Sequence, residues 1–190
     1  PSDPSAGSQP TTAAPQQDPL ATAEPQPPVS FTELRAQVSR FSDPEARADL
    51  HRRIASLTLT EVIALADEVQ ANPGPQQRQM LALLFERWGQ LDGRGAVLAA
   101  QQSRGGTSRP LTTNALRGWI REDPAAALAW AREHQSSADE LEFSLLGSLV
   151  EHHGWRALEF VAGQSPDIIS STRVVLIQHL MQQGRLRDAA

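Results

Sequence analysis

The stretch RGWIREDPAAALAWAREH, residues 117–134, indicates how the whole chain folds. At its centre is the dipeptide Asp123-Pro124, which separates a segment that contains a tryptophan from a segment with five alanines in seven residues. Aspartate is a good N-cap, and proline suits the first position of a helix. The dipeptide therefore predicts that one helix ends and the next begins almost at once, so that the two form an antiparallel hairpin.

Similar junctions recur along the chain at nearly constant intervals. The intervals are 32, 31, 31 and 30 residues, and the junctions are Thr60, Asp92, Asp123, Gly154 and Gly184. An alanine follows three of these junctions in register, at Ala96, Ala127 and Ala157. The first helix of a unit, such as MLALLFERW at residues 80–88, has an apolar face too wide for one neighbour to cover. This spacing predicts an internal repeat of about 31 residues in which each helical hairpin is covered by the next.

The predicted fold class is all-α, because no alternating apolar and polar stretch is long enough to indicate a strand. We expect a right-handed α-α superhelix of about four helical hairpins over residues 30–190, with a period of about 31 residues. Its last repeat is expected to be incomplete, since the sequence reaches Ala190 only a few residues into a second helix.

Residues 1–29 are expected to form an irregular, proline-rich linker or strap. Residues 1–30 hold eight of the 14 prolines, and they contain no aromatic and no basic residue. Such a segment cannot bury enough apolar surface to offset the entropy of ordering it. Three of the five excess negative charges lie in it, at Asp3, Asp18 and Glu24.

Local signals predict individual helix ends. Capping boxes are expected at Ser30 with Glu33, Thr58 with Glu61 and Ser137 with Glu140. A helix start is expected at Asp43-Pro44, a break at NPGP (residues 72–75), and a loop at SRGGTSRP (residues 103–110) before a short helix at residues 112–122.

The repeat resembles tetratricopeptide-type α-solenoids over residues 43–190. Trp88 and Trp119 match the first-helix tryptophan of that family, Ala96 and Ala127 its small second-helix residue, and Pro166 its repeat-ending proline. The period is shorter than the ~34 residues of the family, and the glycine and tyrosine of its pattern are missing. The chain thus looks like a divergent helical-hairpin repeat, and the resemblance implies a protein-binding superhelix.

The composition excludes several kinds of chemistry. The chain has no cysteine, no lysine and no tyrosine, so thiolate, Schiff-base and Walker-type lysine chemistry have no residue to use. The net charge is −5, which argues against nucleic acid as a partner. No apolar run is long enough for a membrane span.

Candidate sites are few, and we assign no catalytic, cofactor-binding or metal-binding residue. The only acid–histidine cluster is Glu151-His152-His153, but adjacent histidines on a helix point about 100° apart, whereas a helical metal pair uses i, i+4 spacing. We interpret the cluster as a polar helix end before Gly154.

Other polar and aromatic positions receive structural interpretations. His134 and His179 fall late in helices, and His51-Arg52-Arg53 is expected to form surface salt bridges near Asp43 and Glu45. Arg104 and Arg109 belong to the predicted loop, where they could bind carboxylates of a partner. The four tryptophans, Trp88, Trp119, Trp130 and Trp155, are predicted to be core residues.

These patterns lead to three functional hypotheses. The first is a non-catalytic protein–protein interaction scaffold, a structural subunit of a larger assembly, for which a periplasmic or envelope-associated location is favoured over a cytoplasmic one. The second is a reversible peptide-binding adaptor with a groove lined by Arg87, Arg117 and Arg121. The third is the N-terminal helical part of a longer enzyme. We expect other protein subunits as partners and no small-molecule ligand.

Overall fold

The structure is a computed structural model that describes residues 30–72, 74, 76–103, 108–134 and 138–184, with the backbone alone for residues 138–144. This part of the chain is built from helices and contains no strand, which confirms the predicted all-α class. The linker at residues 1–29, the capping box at Ser137 and the chain end at residues 185–190 lie outside the described residues, so their predictions stay predictions.

The helices follow one another with short connections. In chain order they are α1 (Phe31–Ser39), α2 (Pro44–Ser56), α3 (Leu59–Ala71), α4 (Gln77–Leu91), α5 (Gly93–Gln102), α6 (Ser108–Glu122), α7 (Pro124–His134), α8 (Ala138–His153), α9 (Ala157–Val161) and α10 (Pro166–Gln182). A 3₁₀ turn, Gly154–Arg156, leads into α9.

Several helix starts carry the caps that the sequence predicts. The Ser30 hydroxyl accepts a hydrogen bond from the backbone N–H of Glu33, and the Glu33 carboxylate accepts one from the Ser30 N–H. The same reciprocal box joins Thr58 and Glu61. The carboxylates of Asp43, Asp92 and Asp123 accept from backbone N–H groups at 3.0, 2.9 and 3.1 Å. Each cap satisfies a donor that the first turn would leave without a partner.

Two predicted boundaries are wrong. Thr60 lies inside α3, and the junction between α2 and α3 is at Leu57 and Thr58, where the capping box stands. Helix α6 begins at Ser108, so the end of the predicted loop is already helical. Pro110 falls in the first turn of α6, where a missing N–H costs nothing because no carbonyl precedes it by four residues within the helix.

The first helices of the hairpins pack side by side in a row, and second helices pack against pairs of them. Helix α4 packs on α6, α6 on α8 and α8 on α10, with the closest association between α4 and α6. Helix α5 packs on both α4 and α6, and α9 packs on both α8 and α10. This packing is consistent with a helical superhelix; its handedness and the 31-residue period stay predictions.

Two glycines allow the close approach of α4 and α6. A Cβ atom added to Gly118 on α6 would lie 1.9 Å from the backbone oxygen of Glu86, and one added to Gly89 on α4 would lie 2.0 Å from the backbone oxygen of Ala115. The structure places the tightest contact between first helices, at glycines.

The core contains the three alanines that follow the predicted junctions. Ala96, Ala127 and Ala157 are fully buried, which confirms that these positions face inward. Trp88 and Trp130 are buried as predicted, and Trp119 is half-buried against the same core.

The prediction of a core position for Trp155 is wrong, because this side chain is 45% exposed. Trp155 belongs to the 3₁₀ turn Gly154–Arg156 between α8 and α9, and none of the three residues of this turn is buried. The indole therefore lies at the surface.

Candidate functional site

The candidate site is an open cleft between α2, α4 and α6. Its volume is about 400 Å³, which is within the usual range of ligand-binding pockets. Its lining, which defines the cleft, consists of His51, Arg52, Ile54 and Ala55 from α2, Leu83, Glu86, Arg87 and Gln90 from α4, and Arg121 and Glu122 from α6. Charged, polar and apolar side chains therefore share this lining.

Arg87 joins the α4 wall of the cleft to the end of α2. Its Nε and Nη2 atoms donate hydrogen bonds to the backbone oxygen of Leu57 at 3.3 and 3.1 Å, and its Nη1 donates to the Oε1 of Gln90 at 3.0 Å. Leu57 is the C-cap of α2, where carbonyl groups lack partners within the helix. The guanidinium is thus held in one position beside the cleft.

On the α2 wall, Arg52 is held less firmly than Arg87. Arg52 forms an ion pair with Asp49 at 3.3 Å, but both side chains are largely exposed. Exposed pairs of this kind contribute little to stability. Arg52 can therefore exchange Asp49 for a carboxylate of a ligand at small cost.

Three charges of the cleft, one on α4 and two on α6, have no partner among the described residues. Arg121 has no hydrogen-bond or ion-pair partner among the residues that the structure describes. Within the same described ranges, Glu86 and Glu122 also lack such partners. In the part of the chain that the structure describes, the cleft thus offers a ligand one guanidinium and two carboxylates without partners.

His152 on α8 stands near the α6 wall, close enough for its pKa to respond to the charge of Arg121. The pKa of this imidazole lies below its usual value, first because partial burial disfavours the charged ring. The charge of Glu151 opposes this shift, whereas the positive charge of Arg121 adds to it. In the sequence, Gln90, Arg121 and His152 stand 31 positions apart, on α4, α6 and α8.

The structure brings together two of the three arginines that were predicted to line a groove. Arg87 and Arg121 both line the cleft, whereas Arg117 is exposed on α6 one turn earlier and does not. The α2 wall with His51 and Arg52 is absent from the sequence prediction. No local signal could place α2 opposite α4, because that contact depends on how the hairpins stack.

The predicted salt bridges near His51 are found, with different partners. Arg53 pairs with Glu33 at 2.9 Å, and Arg40 pairs with Asp43 at 3.6 Å. Glu33 belongs to α1, which lies alongside α2. Asp43 is the N-cap of α2. His51 itself contacts the ring of Phe41, with centroids 6.1 Å apart.

The cluster Glu151-His152-His153 forms the polar end of α8, as predicted, and Gly154 follows with a φ of 55°. The sequence gives no sign of the contact made by His153, whose Nε2 lies 2.8 Å from the backbone oxygen of Ile120. This oxygen can only accept, so Nε2 carries the proton and donates. His134 and His179 both lie in last turns, also as predicted.

The described residues hold no group of three or more histidine and carboxylate side chains that could bind a metal ion. None of the described helices combines the length and the apolar character that a membrane span needs. Arg104 lies outside the described residues, and Arg109 is exposed in the first turn of α6.

The chain matches no protein-family model, none of the curated proteins and none of the solved structures. The fold class therefore stands on the helices and their packing, and the function has to be argued from the cleft.

Proposed function

We propose that this chain is a helical-repeat protein that binds an extended segment of a partner protein in the cleft between α2, α4 and α6, without catalysis. The observation that carries this proposal is the open cleft of about 400 Å³, with charged side chains on its walls that lack partners among the described residues. Unpaired charges at an open surface are available for a ligand at little cost in desolvation.

A polypeptide in extended conformation suits this lining. Its carboxylates can pair with Arg121, whose planar guanidinium binds a carboxylate through two parallel hydrogen bonds. Its backbone N–H groups and amide side chains can donate to Glu86 and Glu122. Ile54 and Leu83 provide apolar surface for side chains of the segment, so both polar and apolar contacts would contribute to the affinity.

The finer description of the fold belongs to the same proposal. A right-handed superhelix with a period of about 31 residues, similar to tetratricopeptide repeats, would place equivalent residues of successive first helices along one face. Helices α4, α6 and α8 begin at residues 77, 108 and 138, which supports such a period. A segment bound along that face would run across the helices.

The test is selection of ligands from a random library of short peptides on the full chain. The expected result is enrichment of peptides whose binding, measured by fluorescence anisotropy, weakens about tenfold or more in Arg121→Glu, since loss of a charge pair costs roughly 1.4 kcal/mol or more. The matched control is Arg94→Glu, because Arg94 is an exposed arginine of α5 outside the cleft. This variant should retain the affinity.

Either of two results would contradict the proposal. One is that no peptide is enriched over a surface without protein. The other is that enriched peptides bind Arg121→Glu as tightly as the unsubstituted chain.

A second candidate function is that of a structural subunit in a larger assembly. It is favoured by three exposed apolar side chains on α10, Val174, Ile177 and Met181, which are 49%, 46% and 55% exposed. Their i, i+3, i+7 spacing places them on one face of the helix. An apolar row of this kind is typical of a surface that another subunit covers.

A further inference from the structure

We infer that an exposed face of α10 binds the same face of a second copy of this chain, so that two α10 helices pack antiparallel about a two-fold axis. This face, which we call the α10 face, consists of Ser170, Val174, Ile177 and Met181, spaced i, i+4, i+7 and i+11. None of these residues lines the cleft. The inference therefore goes beyond the proposed peptide binding, and it names a partner for the second candidate function.

Helix α10 carries apolar residues on two opposite sides. On one side, the large side chains of Val174, Ile177 and Met181 are half-exposed. With about 3.6 residues per turn, the buried residues of α10 lie on the opposite side; they are Thr172, Val175, Leu176 and Leu180. A helix that is apolar on both sides is typical of an interior position. This pattern indicates that a second surface covers the α10 face.

The element that fits this face is another helix. First helices of this protein pack side by side, since α6 lies between α4 and α8, and α8 lies between α6 and α10. Helix α10 is the last helix that the structure describes, and within the described residues it packs closely on one first helix, α8. The α10 face is on the side opposite to the buried residues. It is therefore the position at which a further helix would extend the row.

A second copy of the chain offers the matching surface. Six large apolar side chains are exposed among the described residues, and three of them lie on the α10 face. The other three lie one each on α4, α5 and the 3₁₀ turn, so no other described helix presents such a row. Both copies use the same surface in an isologous interface. Two α10 faces would thus bury each other's apolar row, and apolar burial is the main favourable term in association.

The charges of α10 allow two copies to approach each other. Apart from His179, the ionisable residues of this helix are Asp167 and Arg173, which have opposite signs. The helix therefore carries no net charge at neutral pH, although the whole chain carries −5. The four residues of the α10 face are uncharged. Pairing of two such faces removes no charge from water, which would be costly.

Charge and spacing favour the antiparallel orientation. With the two-fold axis between Val174 and Ile177, Val174 lies against the partner's Ile177, and Ser170 lies against the partner's Met181. A parallel pair would place Asp167, seven residues before Val174 on the same side of the helix, against the partner's Asp167. These like charges would repel each other. In the antiparallel pair the two aspartates are about 25 Å apart along the helix axes.

A dimer held by one helix from each copy is expected to be weak. The α10 face is narrow, whereas standard interfaces use about 20–30 residues on each side. Monomer and dimer should therefore exchange at micromolar protein concentrations. The first test has to trap the pair covalently.

The first experiment uses introduced thiols, because the chain has no cysteine of its own. In Ser170→Cys/Met181→Cys, each thiol meets the other thiol of the partner copy within the ~7 Å between Cα atoms that a disulfide can span. Mild oxidation should convert this double variant into a covalent dimer, measured by non-reducing electrophoresis. A disulfide within one copy is excluded, since positions 170 and 181 are about 16 Å apart along the helix.

The two single variants are the matched controls for the orientation. In Ser170→Cys alone, and in Met181→Cys alone, the equivalent thiols of an antiparallel pair are also about 16 Å apart. Each single variant should form covalent dimers at least about tenfold more slowly than the double variant, because only random collisions bring its thiols together.

A further substitution tests whether the apolar row holds the pair together. Ile177→Glu in the double variant should slow cross-linking about tenfold or more, because the carboxylate would lose its water in the interface. Ile177 is half-exposed, so this variant should keep the far-UV circular dichroism of the folded chain. Leu98→Glu, a change of an equally exposed residue of α5, should leave the rate of cross-linking unchanged.

The outcomes separate this inference from the proposed function. Equal rates for the double and single variants, whether slow or rapid, would overturn the antiparallel pair, as would a rate that Ile177→Glu does not change. Peptides selected on the cleft should bind Ile177→Glu with unchanged affinity, because α10 does not line the cleft. If such peptides bind and the double variant does not cross-link, the inference fails and the proposed function stands. If the double variant cross-links and no peptide is enriched, the reverse holds.

Discussion

At the scale of single residues, two side chains join neighbouring helices by binding carbonyl groups at helix ends. Arg87 donates to the oxygen of Leu57 after α2, and His153 donates to the oxygen of Ile120 in the last turn of α6. Carbonyls in these positions have no partner within their own helix. Each contact therefore satisfies a backbone acceptor and holds two helices in a defined position.

The titration of the His152 imidazole reports on the charge of Arg121. Its imidazole should titrate in NMR below the usual value of 6.5, because burial and Arg121 both disfavour the charged ring. Since the folded-state pKa is lowered, the stability that this group contributes is present above about pH 6.5 and is lost as the pH falls. Replacing Arg121 with alanine removes a repulsion and should raise the midpoint.

The control for this titration is Arg94→Ala, which removes a positive charge far from α8 in the sequence and outside the cleft. It should leave the His152 midpoint where it was. An unchanged midpoint in Arg121→Ala would show that the two side chains are not close.

Residue-scale contacts of this kind could be predicted from the sequence only in part. The acidic and polar N-caps were predictable, because each cap and its partner lie three or fewer residues apart. The bond from His153 to Ile120 spans 33 residues. It exists because α8 packs on α6, and no local pattern carries that information.

At the scale of helices, the contact between α4 and α6 depends on two glycines. A methyl group on Gly118 would meet the backbone oxygen of Glu86, and backbone atoms within a helix cannot move aside as a flexible side chain can. Gly118→Ala should therefore destabilise the protein by roughly 1–3 kcal/mol, even though alanine favours a helix. Urea denaturation measures this change as a lower midpoint.

Gly147 provides the matched control on α8. An added Cβ at this position has no atom within 4 Å, so Gly147→Ala should stabilise the protein by about 0.5–1 kcal/mol through helix propensity alone. Equal effects of the two substitutions would contradict the close contact between α4 and α6.

The helix ends show which boundaries can be predicted from the sequence. The sequence predicts the helix starts at Asp43-Pro44, Asp92 and Asp123, because an acceptor side chain at the N-cap is a strong local signal. It predicts the start of α6 too late, because Pro110 closes a stretch whose composition is typical of a loop. Proline is equally compatible with a first helical turn, so composition alone could not decide.

At the scale of the whole molecule, the row of first helices leaves one apolar face of α10 exposed. If the protein is an assembly subunit, the chain should self-associate with increasing concentration in sedimentation experiments, and Ile177→Glu should prevent this. Charging an apolar contact surface adds a desolvation cost to association.

Leu98 offers a comparable position for a control. It is 46% exposed on α5, as is Ile177 on α10. Leu98→Glu should leave self-association intact. A monomer at all concentrations in the unsubstituted chain would remove the support for an assembly subunit made of copies of this chain.

The sequence predicts the helices of the molecule better than it predicts how the hairpins stack. The all-α class follows from helical spacing and inward alanines such as Ala96 and Ala127, which local periodicity reveals. Of the three arginines of the predicted groove, Arg87 and Arg121 line the cleft and Arg117 does not. The third wall of the cleft, with Arg52 on α2, arises only when the hairpins are assembled.

The glycine contact between α4 and α6 also has a consequence for the rigidity of the cleft. These helices form two walls of the cleft, and Gly89 and Gly118 bring their main chains into direct contact. The spacing of the two walls cannot change through a side-chain rotamer, because main chain meets main chain at both glycines. This edge of the receptor should therefore be preorganised, so that a ligand meets α4 and α6 at the same spacing in the free and the bound state.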